Sequence, residues 1–305
     1  MHRLFMNLLN KNIQSGSLGD MTYVIVNGEF IKRSEAKIDI EDRGYQFGDG
    51  VYEVIRVYNG KMFTGTEHLN RLLDSGKKIG MEMPYSVSQL KQQLEQLIAK
   101  NGLKLGTLYM QVTRGIAPRN HAFPSGDVLP TFVAYSKEVQ RPVENMKTGV
   151  KTILNTDIRW LLCDIKSLNL LGNLMAKQKA VEAGCFEAIQ HRDGIVTEGS
   201  LSNISIIKDG KVITHPADNL ILNGITRQKV LEICRNNDIP FSETAFTLDD
   251  LNNADEVFLS GTTVEITPIV EIAGEKVGDG FLGPITKCLQ ELFVKEIEKE
   301  CGTIS

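Results

Sequence analysis

The stretch FEAIQHRDGIVTEGSLSNISIIKDGKVIT (residues 186–214) contains two Asp-Gly pairs, each placed between runs rich in Ile and Val. Asp-Gly suits the two-residue turns of β-hairpins, because both turn positions need a positive φ angle. Successive hairpins place neighbouring strands antiparallel, whereas the strand–helix–strand units of a doubly wound fold place them parallel. This stretch therefore predicts a hairpin-built sheet in the C-terminal half of the chain.

The N-terminal half repeats the hairpin pattern at two Asn-Gly pairs. These pairs separate Tyr23–Val26 from Phe30–Lys32 and Val51–Tyr58 from Met62-Phe63. Further strands are predicted at Thr107–Arg114, Thr131–Tyr135, Val150–Asp157 and Val257–Ser260.

Five segments have the apolar spacing of amphipathic helices. The first follows Thr66, a predicted N-cap; the second follows Ser86, where Gln89 completes a capping box and Gly102 marks the end. The others are predicted at Leu168–Ala183, at Thr226–Asn237 and after Pro284. Because hairpins outnumber strand–helix–strand crossovers, we expect an α+β fold.

Polar segments divide the chain into parts. Residues 1–20 end in Gln14-Ser-Gly-Ser-Leu-Gly-Asp20, which is typical of a flexible linker, and the apolar patch before it is too short for a signal or membrane segment. Ser136–Gly149 is typical of a connection between domains. We predict a flexible extension at 1–20, a smaller N-terminal α+β domain at 21–140 and a larger C-terminal α+β domain at 141–305.

Composition narrows the classes of partner. The formal net charge of −4 favours neither a nucleic-acid nor a membrane surface as the partner, and suits a protein that handles small molecules. The five cysteines are scattered, with neither a Cys-x-x-Cys pair nor metal-ligand spacing. Their odd number indicates reduced thiols, so we expect a cytoplasmic protein with no metal site.

Standard catalytic motifs are missing from the sequence. It contains no Gly-rich dinucleotide fingerprint, no P-loop, no His-Glu-x-x-His and no Gly-x-Ser-x-Gly. A cofactor that supplies its own electron sink is among the few enzymatic routes left.

Lys166 is the candidate nucleophile. It lies in Cys163-Asp-Ile-Lys-Ser-Leu-Asn-Leu-Leu171, between a strand-like run and an apolar helix. Apolar neighbours desolvate an amine and favour its neutral, nucleophilic form. An arbitrary lysine is far more often a solvated surface residue, so this setting alone raises the suspicion only modestly.

Other segments offer a place for a flat, phosphorylated ring. Glu198 ends a strand before small residues, where a carboxylate can pair with a protonated heterocyclic nitrogen, although a hairpin rim with a solvated acid is equally simple. Gly224-Ile-Thr-Arg227 begins a helix and Gly261-Thr-Thr263 follows a strand. Singly each is most simply a turn, but together their N–H and hydroxyl groups can hold a phosphate.

Six motifs in this order resemble the fold-type IV pyridoxal-phosphate enzymes, the class IV aminotransferases. They are Arg43-Gly-Tyr-Gln-Phe-Gly-Asp-Gly-Val-Tyr-Glu53, Glu67-His-Leu-Asn-Arg71, Lys166, Glu198-Gly-Ser-Leu-Ser-Asn203, Gly224-Ile-Thr-Arg227 and Gly261-Thr-Thr-Val-Glu-Ile-Thr-Pro268. The family contains D-amino acid aminotransferases, branched-chain aminotransferases and aminodeoxychorismate lyases. The resemblance implies a two-domain fold with pyridoxal 5′-phosphate between the domains, in a homodimer.

The resemblance also implies roles for residues around the cofactor. Lys166 forms the Schiff base and then shuttles the substrate proton, Glu198 keeps the ring nitrogen protonated, and Leu222 packs against the ring. The phosphate is held by Arg71, by the N–H groups of Ile225 and Thr226, and by Thr262.

One loop selects among the activities of the family. Thr113-Arg-Gly-Ile-Ala-Pro-Arg-Asn-His-Ala-Phe-Pro124 resembles the loop in which D-amino acid aminotransferases carry an Arg–His pair, here Arg119 and His121. With Tyr52, this pair implies a trap for the substrate carboxylate, formed within one subunit or across a dimer. The implied reaction converts D-alanine and 2-oxoglutarate to pyruvate and D-glutamate.

Two departures from the family pattern and three other functions stay open. Gly261 stands where serine is common, and Leu201 replaces a small polar residue, so cofactor affinity or substrate preference can differ. The alternatives are a branched-chain L-aminotransferase, a 4-amino-4-deoxychorismate lyase, or a non-catalytic homologue that binds the cofactor.

Overall fold

The computed structural model describes residues 22–126 and 128–304, so the predicted extension at 1–20 lies outside the described residues. The N-terminal sheet has the strand order β2-β1-β6-β5-β3-β4. Its strands are β1 (Tyr23–Val26), β2 (Glu29–Lys32), β3 (Gly50–Tyr58), β4 (Lys61–Met62), β5 (Gly106–Thr113) and β6 (Thr131–Glu138). All its pairings are antiparallel, as the hairpin pattern predicts.

Helices cover one face of this sheet. The N-terminal half contains α1 (Arg43–Phe47), α2 (Gly65–Lys78) and α3 (Val87–Asn101), and a short helix, α4 (Val143–Thr148), follows the sheet. The apolar faces of α2 and α3 pack on the sheet and form one core; Leu69, Leu72, Leu90, Leu94 and Leu97 are fully buried in it. The α3 helix has the predicted Ser86–Gln89 capping box, and Gly102 ends it in the left-handed conformation.

The C-terminal sheet has the order β12-β11-β10-β13-β14-β7-β8-β9, with β15 paired to β14. Its strands are β7 (Val150–Thr156), β8 (Glu187–Arg192), β9 (Ile195–Gly199), β10 (Asn203–Lys208), β11 (Lys211–Thr214), β12 (Phe241–Glu243), β13 (Glu256–Gly261), β14 (Glu265–Ile272) and β15 (Glu275–Lys276). The hairpins β8–β9 and β10–β11 turn at the two Asp-Gly pairs. Parallel pairings join β7 to its two neighbours and β11 to β12, and the α+β prediction is confirmed.

The second half contains the helices α5 (Leu171–Glu182), α6 (Ile225–Asn236), α7 (Leu248–Asn252) and α8 (Pro284–Cys301). Helices α6 and α8 pack on the sheet, and their core also takes in Tyr58 and Phe63 from the N-terminal half. The chain changes sheets between Glu138 and Val150, an interval that contains the predicted domain boundary; the boundary itself stays a prediction.

A buried polar cluster joins the two halves. The Tyr58 hydroxyl donates to Glu265 Oε1 at 3.0 Å, and the Arg141 guanidinium donates to both oxygens of the same carboxylate at 2.8 and 2.7 Å. Glu265 is buried with a φ of 50°, a conformation unusual for a residue with a side chain. A bidentate ion pair in this setting fixes the relative position of the two sheets.

Three details differ from the sequence predictions. Helix α2 has Thr64 as its N-cap and not Thr66, because Thr64 adopts the left-handed conformation and its N–H donates to the Glu300 carboxylate of α8. Residues 143–148 of the predicted connection form α4. Helix α5 begins at Leu171 and not at Leu168.

The late start of α5 has a structural cause that concerns Lys166. Tyr52 N–H donates to the Lys166 carbonyl at 3.0 Å, and Leu168 N–H donates to the Gly50 carbonyl at 3.0 Å. Residues 166–168 therefore run as a short extension beside β3 and cannot form a helical turn. The lysine of the C-terminal half is thereby attached to the N-terminal sheet.

Gly50 permits this close approach. A Cβ atom at this position would lie 2.5 Å from the Val112 carbonyl oxygen and 2.9 Å from Leu168 Cδ1. We expect Gly50→Ala to destabilise the protein by about 1–3 kcal/mol, because backbone must move to accept the methyl group. Thermal unfolding followed by circular dichroism measures the loss; an unchanged midpoint would show that the lysine segment does not depend on this contact.

Candidate active site

The predicted cofactor residues come together around one cleft between the two halves. The empty space within the cleft, counted together with the part that is open to solvent, is about 800 Å³. Its walls include all seven predicted cofactor residues and Tyr52. They come from β3, α2, the 159–170 segment, the turn after β9, the start of α6 and the end of β13.

Lys166 is half-buried in the cleft wall and its backbone is fixed on two sides. Besides the bond from Tyr52 N–H, the Lys166 N–H donates to Ser75 Oγ at 3.3 Å. Its Nζ donates to the Tyr52 hydroxyl at 3.4 Å and lies 4.4 Å from the centre of the Tyr52 ring. The fixed backbone leaves only the side-chain torsions to aim the amine.

Glu198, at the end of β9, is only 6 % exposed and accepts three hydrogen bonds. Asn203 Nδ2 donates to Oε2 at 3.0 Å, Leu222 N–H donates to Oε2 at 3.1 Å, and the Arg159 guanidinium donates to Oε1. Burial raises the pKa of Glu198 above its ordinary value, against the opposing effect of Arg159. A protonated ring nitrogen beside the carboxyl would favour its ionised form, because opposite charges stabilise each other.

Arg159 is held in turn by Asp157. The guanidinium donates to both oxygens of the buried Asp157 carboxylate at 2.9 and 2.8 Å, and that carboxylate also accepts from Arg192 and Thr197. Burial opposes ionisation of Asp157, but the hydrogen bonds from Arg159 outweigh it and hold its pKa well below the ordinary range. Asp157 thus fixes the positively charged Arg159 guanidinium in contact with Glu198.

The loop of residues 219–224 forms part of the cleft wall. Leu222 donates to Glu198 and accepts from Asn203 Nδ2 at 2.9 Å, so its backbone is fixed at the cleft wall. Gly224, the N-cap of α6, lies so close to Asn203 that a Cβ atom would be 2.1 Å from its Oδ1. Only glycine lets the start of α6 lie this near the Glu198 turn.

The start of α6 and the end of β13 form another part of the cleft wall. Ile225 and Thr226 occupy the first turn of α6, where N–H groups have no intrahelical acceptor and the helix dipole favours an anion. Thr262 lines the same cleft. Ser260 lines it as well, and its buried Oγ has no hydrogen-bond partner in the described part of the chain.

Arg71 reaches this part of the cleft from α2. Its Nε and Nη2 donate to the two oxygens of the buried Glu53 at 2.6 and 3.0 Å, and its Nη1 donates to the Asn223 carbonyl at 3.0 Å. Glu53 also lies 2.7 Å from His68 Nδ1. Burial raises the pKa of Glu53, but Arg71 and His68 outweigh it and hold that pKa far below its ordinary value; burial lowers the pKa of His68. The ion pair is thus between Glu53 and Arg71.

The predicted carboxylate trap is only partly assembled within one chain. Tyr52 lines the cleft, but the described cleft walls include neither Arg119 nor His121. Both are exposed on the loop after β5 and lie on the Phe47 ring; the Arg119 guanidinium is 4.3 Å from its centre and the His121 ring 5.6 Å. Arg43 Nη1 holds this loop by donating to the Asn120 carbonyl at 2.7 Å.

The departure at Leu201 lies in the turn after Glu198. The buried carboxylate of Glu187 accepts from the hydroxyls of Ser200 and Ser202, so both serines point inward. Leu201 between them lines the cleft and is 61 % exposed. The other departure, Gly261, also lines the cleft.

Sequence reasoning missed three polar residues that hold the site. Glu53 lies within a recognised motif, yet nothing in the sequence signals that it binds Arg71. Asp157 is the last residue of the strand predicted at Val150–Asp157, and Arg159 follows it with one residue between them. Their function depends on contacts with distant residues, and a single sequence contains no signal for such contacts.

The donor set fits pyridoxal 5′-phosphate, the cofactor that the resemblance implies. An amine, a carboxylate, a guanidinium, a helix N-terminus and hydroxyls all line the same cleft. The unpartnered Ser260 hydroxyl also lines it and is a further donor for an anion.

The chain matches the amino-transferase class IV family over residues 50–272. It is 52% identical to the D-alanine aminotransferase of Staphylococcus haemolyticus over 278 residues, which cover 91% of this chain and 99% of that protein. It is 53% identical to the D-alanine aminotransferase of Listeria monocytogenes serotype 1/2a (strain 10403S) over 283 residues, which cover 92% of this chain and 98% of that protein.

Solved structures of branched-chain amino acid aminotransferases share the fold. The Escherichia coli enzyme superposes with a TM-score of 0.85 at 28% identity, and the match covers 90% of this chain and 93% of that one. The Thermobaculum terrenum enzyme, in its PLP-bound holo form, superposes with a TM-score of 0.82 at 27% identity, and the match covers 93% and 95% of the two chains.

Glu53→Gln tests the support of Arg71. We expect it to reduce the free energy of unfolding at pH 7 by about 3–5 kcal/mol, because it leaves the partly buried Arg71 without its buried counter-charge. The folded-state pKa of Glu53 lies below the ordinary 4.5, so its carboxylate stabilises fully above pH 4.5 and less as the pH falls toward the folded-state value. Thermal midpoints of both proteins should therefore converge in acid.

Glu67→Gln is the matched control for that measurement, because Glu67 is exposed on α2, the helix that carries Arg71. Its midpoint should follow the wild type throughout. A difference between Glu53→Gln and wild type that stays constant from neutral to acid pH would mean that Glu53 is not ionised in the folded protein.

Proposed function

We propose, because this chain belongs to the amino-transferase class IV family, that it exchanges an amino group between a D-amino acid and a 2-oxo acid. The substrates are D-alanine and 2-oxoglutarate, and the products are pyruvate and D-glutamate. The observation that carries the proposal is the convergence of Lys166, Glu198 and Arg71 on one cleft. The relatives of more than half identity supply the substrate class.

Pyridoxal phosphate supplies the electron sink that makes the substrate Cα–H bond acidic. Arg71, Thr262 and the first N–H groups of α6 bind its phosphate, and Glu198 accepts the hydrogen bond of its ring nitrogen. Because Arg159 and Asn203 fix Glu198, the carboxylate does not reorganise during turnover.

Lys166 is the acid–base group of the reaction. Its amine would carry the proton from the substrate Cα to the C4′ carbon of the cofactor in the first half-reaction, and would carry a proton in the opposite direction in the second. The Tyr52 hydroxyl, 3.4 Å from Nζ, orients the amine. The carboxylate trap fixes the other side of the substrate, so that Cα–H points at Lys166 only in the D-enantiomer.

The active assembly is a homodimer in which the trap residues come from the partner. Two observations support this proposal. Arg119 and His121 lie outside the cleft of their own chain, as described above. Large apolar side chains beside the cleft are also exposed, as expected for an interface; they are Trp160, Leu161, Leu162, Leu171, Leu174 and Met175.

We place the enzyme in the cytoplasm. All five cysteines are free, which suits a reducing compartment. None of the helices in residues 22–126 and 128–304 is long and apolar enough to span a membrane.

Half-reaction spectra test the proposed activity. When D-alanine is mixed with the enzyme, the absorbance band of the bound cofactor should change. L-leucine should leave the band unchanged. Lys166→Ala should lower turnover at least about a thousandfold, because the group that moves the proton is lost. Activity with L-leucine alone would favour a branched-chain enzyme, release of pyruvate from 4-amino-4-deoxychorismate a lyase, and a band that responds to no substrate a non-catalytic homologue.

Mixed dimers test the shared site. Lys166→Ala and Arg119→Ala chains should each be almost inactive alone. If Arg119 acts in the partner's cleft, random pairing of equal amounts should restore about a quarter of the wild-type activity, since half of the dimers then contain one intact site. A mixture that stays inactive although subunits exchange would place Arg119 in the cleft of its own chain.

A further inference from the structure

Arg227 is a buried cation that the proposed mechanism does not use. It lies in the first turn of α6, next to Ile225 and Thr226, and is 2 % exposed. A positive charge in the first turn opposes the helix dipole. Burial in the folded protein also removes its hydration, which is unfavourable. A buried cation in such a place therefore needs compensating interactions nearby.

The contacts of Arg227 lead to the phosphate end of the cleft. Its Nη2 donates to the His215 carbonyl and to Glu243, both at 2.7 Å, and its Nη1 donates to Asn223 Oδ1 at 3.2 Å. The carbonyl of the same Asn223 accepts from Arg71 Nη1 at 3.0 Å. Asn223 thus links the two arginines: its side chain binds Arg227 and its carbonyl binds Arg71.

Arg71 is therefore held from both halves of the protein. Glu53 on β3 engages Nε and Nη2, and the Asn223 carbonyl engages Nη1. A guanidinium has five N–H donors, and these bonds use three of them, which leaves donors on Nη1 and Nη2 for a phosphate oxygen. If Asn223 moved, the Arg71 guanidinium would lose this bond to the C-terminal half while the ion pair with Glu53 persisted.

We propose that Arg227 is a positioning residue for the cofactor phosphate, acting through Asn223 on Arg71 and on the start of α6. This inference rests on the proposed function, because it concerns the same cofactor. The contacts of Arg227 described above include neither Glu198 nor Lys166, so we expect it to affect the binding of the phosphate more than that of the ring. Glu243, partly exposed on the edge strand β12, holds the guanidinium from outside.

Comparison of pyridoxal 5′-phosphate with pyridoxal, which lacks the phosphate, tests the proposal. Each is titrated into the full-length chain, and the absorbance of the bound form gives Kd. Arg227→Lys and Asn223→Ala should raise Kd for pyridoxal 5′-phosphate about tenfold, the size expected for one hydrogen bond to a charged group, and should leave Kd for pyridoxal unchanged. Arg235→Gln, on the exposed face of the same helix, is the matched control and should bind both as the wild type does.

A second comparison separates positioning from general damage. Combined with Arg71→Lys, the Asn223→Ala substitution should produce no further loss of pyridoxal 5′-phosphate affinity, because both changes act on one contact. Should Arg227→Lys fail to fold, Asn223→Ala and Glu243→Gln carry the test. Asn223→Ala removes a hydrogen-bond partner of Arg227, Glu243→Gln removes its counter-charge, and both leave the buried cation in place.

The outcomes are distinct. Equal weakening of both ligands, or additive losses with Arg71→Lys, would overturn the proposal and leave Arg227 a purely structural residue. Unchanged affinity for pyridoxal 5′-phosphate in Asn223→Ala and Glu243→Gln would also overturn it. If the unsubstituted chain formed no coloured complex with either ligand, the proposed function itself would be wrong.

Discussion

The hydrogen bonds between residues 166–168 and the start of β3 are the constraint on which the site depends. Lys166 belongs to the C-terminal half of the chain, yet its carbonyl accepts from Tyr52 of the N-terminal sheet. The cleft is therefore built around a lysine that is attached to both halves. Glu265, bound by Tyr58 and Arg141, holds the halves together at a second place, so the two walls cannot separate without breaking buried polar contacts.

Two carboxylate–guanidinium pairs would serve the two ends of the proposed cofactor in opposite ways. At the phosphate end Glu53 keeps its charge, with a depressed pKa, and orients Arg71. At the ring end the Arg159 guanidinium is shared between Asp157 and Glu198. Burial raises the pKa of Glu198. One end thus presents a positive charge to an anion, and the other presents a carboxyl suited to a protonated nitrogen.

Local chemistry in the sequence predicted much of the fold. The Asn-Gly and Asp-Gly turns, the Ser86 capping box and Gly102 are each determined by a few neighbouring residues, and the structure has all of them. The motif residues around the cofactor also meet at one cleft. What the sequence could not predict depends on distant contacts, such as the bond from Thr64 to Glu300 or the pairing that delays the start of α5. The same holds for Glu53 and Arg159, and for the placement of Arg119 and His121 outside the cleft.

In the turn after Glu198, two serines that fix the backbone flank one side chain that faces the cleft. Glu187 takes both flanking serine hydroxyls, so the backbone course of the turn is set without the side chain of residue 201. That side chain faces the cleft, and the turn does not need it to fold. A single substitution there can change the surface that meets a substrate while the cofactor residues on either side keep their positions, and new substrate preferences can evolve at this point without loss of stability.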